Sequence, residues 1–353
     1  TNRSRLRDYI RLGYDDFSSF RKFIDAVDIE LNLNGARVHS KDIEFFAPDV
    51  ATTLFDVTLS GSFFGKIPAI HARHVTLRAS GNTYLAGNFT IHGLPDIDHT
   101  LFDMQLSRLS TNSHDIETLV PQLGNSPVLK LPAIFDHMGN LTYEGNLQGH
   151  YYHFTANGSL ETELGTVITD IDLNIRNGIR YAGQLSTVAF DLGTLLQLPQ
   201  FGNSGFDISI EGNGFAVKEI NSTVTGKVDY LDFRDYRYRN IDLEGTFAEM
   251  QFAGDVAIDD PNLQLHFDGD VNFNPKFPEY TFTAEVGYAN LYPIHLYKKT
   301  PITVENASVI SNFKGSTIND IQGDIAIRDV QFLTNTDRYL VDSLTLSANG
   351  SQE

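Results

Sequence analysis

The stretch DDPNLQLHFDGDVNF, residues 259–273, constrains the fold more tightly than any other feature of the chain. After an Asp-Pro-Asn turn, Leu263, Leu265, Phe267, Gly269, Val271 and Phe273 are apolar or glycine, and every even position from Asn262 to Asn272 is polar. A two-residue period describes a strand with one apolar face and one wet face. Gly269 falls on the apolar face, where glycine weakens a strand and offers a core no side chain. What that face looks at is the question the sequence poses.

Glycine repeats this placement along the chain. Gly61, Gly87, Gly145, Gly149, Gly158, Gly183, Gly226, Gly245, Gly254, Gly269 and Gly323 each have an apolar residue two before and two after; these are 11 of the 28 glycines. With 41% hydrophobic residues, chance supplies about five, so the enrichment is about twofold. Two architectures account for it. One is a sandwich whose glycines mark bulges or bends. The other is a sheet curled so tightly that its inner wall is thinned, leaving a gutter in place of a filled core.

Uneven intervals between these glycines disfavour a fixed-length solenoid or propeller and favour a meander of hairpins. Dense turn signals (DDPN, NGS, RNG, GNSG, NFNPKFPEY) predict on the order of 30 short strands, which is too many for one compact sandwich. Helical spacing is rare. Phe17, Phe20, Ile24 and Val27 predict a short amphipathic helix capped by Asp15 or Asp16, and two-turn helices are expected around Ile116–Val120 and Leu192–Leu196. The expected organisation is a short N-terminal segment with a helix over 1–28, then a continuous β-groove over 29–353 with a subdivision near 125–140.

The charge balance limits the partners. Against 26 basic residues stand 45 acidic ones, a formal charge of -19, so phosphate-rich nucleic acid is repelled overall and is not expected as a partner. The absence of cysteine removes disulfides, thiolate metal sites and cysteine nucleophiles. No run approaches the ~20 apolar residues of a spanning helix, and TNRSRLRDYI is not a signal peptide. The sequence reads as an internal piece of a longer chain.

Several segments in order carry a resemblance: DIELNLNGARVHSKDIEFFAP, GNLTYEGNLQGHYYHFTANGSLETELGTVITDIDLNI, AFDLGTLLQLP, YRNIDLEGTFAEMQFAGDVAIDDPNLQLHFDGDVNF and FTAEVGYANLYPIHL. They resemble the TamB (translocation and assembly module) family of the AsmA-like superfamily, in its Bacteroidetes form, over essentially the whole chain. The resemblance implies an all-β, elongated, curled, mostly antiparallel sheet forming a hydrophobic groove, with few short helices. It implies a periplasmic location and an inner-membrane anchor in upstream chain. It also implies lipid transport between the two membranes and a role with outer-membrane assembly machinery.

On that reading phospholipid is the expected partner, and the groove is lined by Phe63, Phe89, Leu147, Phe154, Leu160, Phe247, Phe252, Val256, Leu265, Phe267 and Val271. Gly61, Gly87, Gly145, Gly158, Gly245, Gly254, Gly269 and Gly323 would leave width for the cargo. No enzyme, cofactor or metal is expected. The alternative is a scaffold that pairs nascent outer-membrane strands with its open sheet edges.

Competing chemical signals are weak. Asp268, Asp270, Asn272, Asn274 and Glu279 have calcium-loop spacing, but Phe273 stands where the loop requires glycine and prolines interrupt it. His71 and His74, three apart, are expected on opposite faces of a strand. Arg234, Tyr236, Arg237, Tyr238 and Arg239 read better as a strand with cross-strand ion pairs than as a nucleic-acid platform. Carboxylate pairs such as Asp259 and Asp260 read as solvated surface. No nucleophile elbow, phosphate loop or zinc motif occurs.

Overall fold

A computed structural model describes residues 4–5, 8–39, 42, 56–79, 81–119, 131–176, 178–214, 219–274, 278–315, 322–334 and 336–348. Parts of several predicted features (Ser40, Val120 and the following PQL, 125–130, 275–277 and Ile321) lie outside them. The chain forms two compact units, Thr1–Ile179 and Arg180–Glu353. Of the segment where a subdivision is expected, the described residues 131–140 lie within the first.

The first unit carries β1 (Asp8–Gly13), β2 (Asp28–His39), β3 (Asp56–Lys66), β4 (Ala69–Arg78), β5 (Tyr84–His92), β6 (Leu101–Asn112), β7 (Asn140–His150), β8 (His153–Thr162) and β9 (Gly165–Asn174). Each pairs antiparallel with its successor. The second unit carries β10 (Arg180–Asp191), β11 (Phe201–Asn213), β12 (Asn221–Phe233), β13 (Tyr236–Ala248), β14 (Gln251–Asp260), β15 (Leu263–Asn272), β16 (Glu279–Asn290), β17 (Thr303–Lys314), β18 (Gln322–Leu333) and β19 (Arg338–Ala348). These too pair antiparallel in sequence order. The all-β, antiparallel expectation holds.

The strand count differs from the expected thirty. Nineteen strands are described, most of them 10 to 13 residues long. The discrepancy arises because NGS at 157–159 lies inside β8 and GNSG at 202–205 inside β11. Small residues there are bends within strands.

Short helices occur where spacing predicts them, in altered form. Phe17–Lys22 is a 3-10 turn followed by α1, Phe23–Ala26. Asp16 caps it: Ser18 N donates to Asp16 Oδ1 at 2.7 Å, and Ser19 Oγ accepts from Asp16 N at 3.5 Å. The tighter winding breaks the four-residue spacing, so Val27 is buried while Phe17 is 82% exposed. Among the described residues the other α-helices are α2 (Ser113–Leu119), α3 (Ile134–His137) and α4 (Leu192–Leu196, capped by Asp191), and Ile97–His99 forms a further 3-10 turn. No helical spacing of apolar residues marks α3 in advance.

Side-chain parity separates the two faces in both units. Across β12 to β17, Val228, Ile241, Ile258, Leu265, Val286 and Ala307 are successive ladder partners on one face. On the other face Thr225, Glu244, Asp255, Asp268 and Thr283 follow one another. The strand contacts of any extent are those between ladder neighbours. In β15 Leu263, Leu265, Phe267 and Val271 are all partly exposed, and none is fully buried. A sandwich interior leaves such residues dry, and among the described residues no second sheet lies upon this apolar face.

Candidate functional site

The expected lining residues all fall on these apolar faces, and the ladder sorts them into rows that run across the strands. In the second unit Phe247, Phe252, Val271, Tyr280, Phe313 and Gly323 make one row. Gly245, Gly254, Gly269 and Phe282 make the next, and Leu243, Val256, Phe267 and Ala284 the one after. Leu265 belongs to the row beyond. In the first unit Phe63, Ala72, Phe89, Met104, Leu147 and Ala156 are successive partners. Phe154 lies one row to one side, opposite Gly149, and Leu160 lies two rows to the other side, opposite Tyr143.

Glycines gather into rows of their own. Gly87, Leu106, Gly145 and Gly158 are successive partners, with Gly61 beside Val75 on the same line. A Cβ on any of the eight expected glycines would collide with a neighbouring strand's backbone or with a ring. Gly61, Gly145, Gly269 and Gly323 also hold φ of +135°, +151°, +150° and +123°, which side-chain-bearing residues rarely adopt. Close backbone approach therefore requires these glycines, rather than a need for open width above them.

Rings lie over two of the glycines. The Phe252 ring covers Gly245 and is only 6% exposed, and the Tyr143 hydroxyl sits where a Gly158 Cβ would be. This is the aromatic rescue of glycine known from bent sheets. The rings continue as a lane: centroids are 4.9 Å apart for Phe247 and Phe252, 6.3 Å for Phe252 and Phe267, and 5.1 Å for Phe267 and Phe282. Tyr280 stacks on Phe313 at 4.7 Å. Sequence reasoning missed Tyr143, Tyr280, Phe282 and Phe313, because only cross-strand register reveals who lies over whom.

A polar knot finishes one end of the face in the second unit. Asp260, 2% exposed, accepts hydrogen bonds from the Tyr236 hydroxyl, from Asn262 N at 2.8 Å and from Arg239 N at 3.1 Å. Burial, then the bond to Asp260, raises the Tyr236 pKa; burial, then the charge of Asp260, raises that of Tyr238. Both phenols stay neutral, and the carboxylate is satisfied by neutral donors. Beside it, the segment between β16 and β17 folds back to the β12–β13 turn, burying Ile294 and placing His295 Nδ1 3.0 Å from Arg234 O.

The competing signals resolve in the ladder. Asp268 and Asp270 lie on β15 facing Thr283 and Thr281, not in a loop between helices. Arg237 and Asp232 are register partners and form a two-pronged ion pair at 2.7 and 2.8 Å, with Arg237 also 4.0 Å from the Tyr230 ring centroid. His71 and His74 are not on opposite faces. A register shift between Ala72 and Val75, with His74 at φ 51°, turns both toward one concavity. Among the described residues no group of three or more His, Asp or Glu could hold a metal ion.

No helix among the described residues is long and apolar enough to cross a membrane. No protein-family model, no curated protein and no solved structure matches the chain.

Proposed function

We propose that the apolar faces carry phospholipid acyl chains, and that the chain is a non-enzymatic, periplasmic part of an inner-membrane-anchored protein passing lipid toward the outer membrane. One observation carries this reading: a face that is apolar row after row stays partly exposed along β15, at Leu263, Leu265, Phe267 and Val271. Each methylene moved into water costs about 0.8 kcal/mol, so one chain of some 16 carbons costs on the order of 10 kcal/mol. A point site cannot cover a lipid along a path, whereas successive rows keep hydrocarbon covered at every step. From β12 to β18 the rows extend about 30 Å at ~4.8 Å per strand, about the thickness of a bilayer's hydrocarbon.

The test is native mass spectrometry of the purified protein, with expected masses of bound phospholipid. Phe267→Asp places a charge in the ring lane at a partly exposed position and should abolish the bound species while circular dichroism stays that of a folded β protein. Undiminished lipid in that folded variant would overturn the reading. Phe252 is the wrong position for this test, because its ring holds Gly245 covered.

A second reading, a scaffold for outer-membrane β-barrel precursors, draws on β19. Among the described residues its outer edge has no partner strand, and Leu340, Leu344 and Leu346 are 66%, 46% and 54% exposed. Crosslinks from β19 to unfolded barrel strands, without bound lipid in the purified protein, would favour it.

A further inference from the structure

The polar face of the first unit carries a feature that the lipid reading does not use. Residues 57–95, which span β3 to β5, contain no Asp or Glu, although the whole chain has 45 in 353 residues, about one in eight. The same stretch holds Lys66, Arg73, Arg78, His71, His74 and His92. In a chain of formal charge -19, this stretch carries three fixed cations and no anion, two of them, Arg73 and Arg78, on β4; Asp56 at the start of β3 stands just outside it.

Three of these groups, His71, Arg73 and His74, converge at one place because the ladder breaks there. The extra residue between Ala72 and Val75 puts His71, Arg73 and His74 around a shallow concavity of about 370 Å³, together with Asn88, Thr90 and Gln105. Several members are held in position. The His71 ring stacks on Phe64 (centroids 5.2 Å, planes 20° apart), and the Arg73 guanidinium lies 5.1 Å from the centroid of the same ring. His71 Nδ1 is 3.2 Å from Thr90 Oγ1, and His74 N donates to Asn88 Oδ1 at 3.0 Å. The one carboxylate in the lining, Asp103, accepts a hydrogen bond from Gln148 at 3.1 Å.

We infer that this concavity binds a phosphate group. A planar guanidinium beside imidazole, amide and hydroxyl donors is the donor set that a tetrahedral oxyanion takes, and the absence of Asp and Glu over residues 57–95 lowers the repulsion the rest of the chain would exert. The phosphate could arrive as free phosphate or as the diester of a lipid headgroup, and the site's chemistry serves both.

Histidine ring signals followed by NMR at constant ionic strength test the site, with sodium phosphate in one titration and glycerophosphoethanolamine in another. The expected result is saturable movement of the His71 and His74 signals, at least tenfold weaker in Arg73→Gln. Saturation by phosphate alone identifies the free anion as ligand, and saturation by the diester identifies a headgroup. Equal movement with chloride, no saturation with either ligand, or unchanged binding in both Arg73→Gln and His74→Asn would overturn the inference. Arg73 is exposed, and unchanged circular dichroism of the variant separates lost binding from lost fold.

Discussion

The two units accommodate their glycine rows differently. In the first, register breaks on five successive ladders, at Leu33/Ala36, Ser60/Ser62, Ala72/Val75, Ala86/Gly87 and Leu106/Leu109, all beside the line of Gly61, Gly87 and Gly145. In the second, the ladders through Gly245, Gly254 and Gly269 keep unbroken register from β13 to β15. Among its positive-φ residues, besides Gly269 in that row, are Asn240, Asn306 and Asp329 within strands, with φ of 49°, 52° and 55°. Asparagine and aspartate tolerate that conformation better than most side chains. Register shifts occur in the second unit too, at Thr187/Phe190, Phe201/Ser204, Gly205/Phe206 and Gln264/Leu265. The contrast is therefore one of glycine rows: beside the first unit's row inserted residues add local twist, whereas the row of Gly245, Gly254 and Gly269 runs on without them, with the Phe252 ring over Gly245.

The largest effect that tests this contrast comes from adding one methyl group. Gly145→Ala forces a Cβ into neighbouring backbone at φ +151°, and should cost at least about 3 kcal/mol in chemical denaturation. Gly245→Ala meets chiefly the Phe252 ring tip, which can swing aside, and should cost about 1 to 2 kcal/mol. Equal costs would erase the distinction. Next in size, Phe252→Ala should cost about 3 kcal/mol, while Phe247→Ala, 36% exposed in the same row, should cost about 1 kcal/mol.

The smallest effect compares two carboxylates. In the first unit the hydrogen bond from Arg37, then its charge, helps hold Asp56 below the ordinary 3.8, with Arg37 Nε 2.8 and 3.0 Å from its oxygens. In the second, Asp191 is held below 3.8 first by the Thr194 backbone N–H and then by the Thr194 hydroxyl. A depressed folded-state value means that stability is present above the unfolded value near 3.8 and is lost as pH falls through the folded one. Raising salt should move the Asp56 midpoint up toward 3.8 and leave that of Asp191 in place, as read by carboxyl NMR titration.

What the sequence made legible follows from period two. Parity alone assigned Leu265, Phe267 and Val271 to one face and Asp268 and Asp270 to the other. Period two carries no register, so nothing in it shows that Gly245, Gly254 and Gly269 stand side by side, or that Tyr143 reaches over Gly158. Gly205 read as a turn because small residues mark turns and strand bends alike; a register shift beside it identifies a bend. His74 defeated the alternation rule for the same reason, since one extra residue exchanges the faces.

Sequential pairing sets how such a unit comes apart. Each strand leans only on the two beside it, so a local fault is not averaged over a common interior, and opening starts at a margin and advances strand by strand. In the second unit β19, with one neighbour and its leucines half in water, is where the seam gives way first.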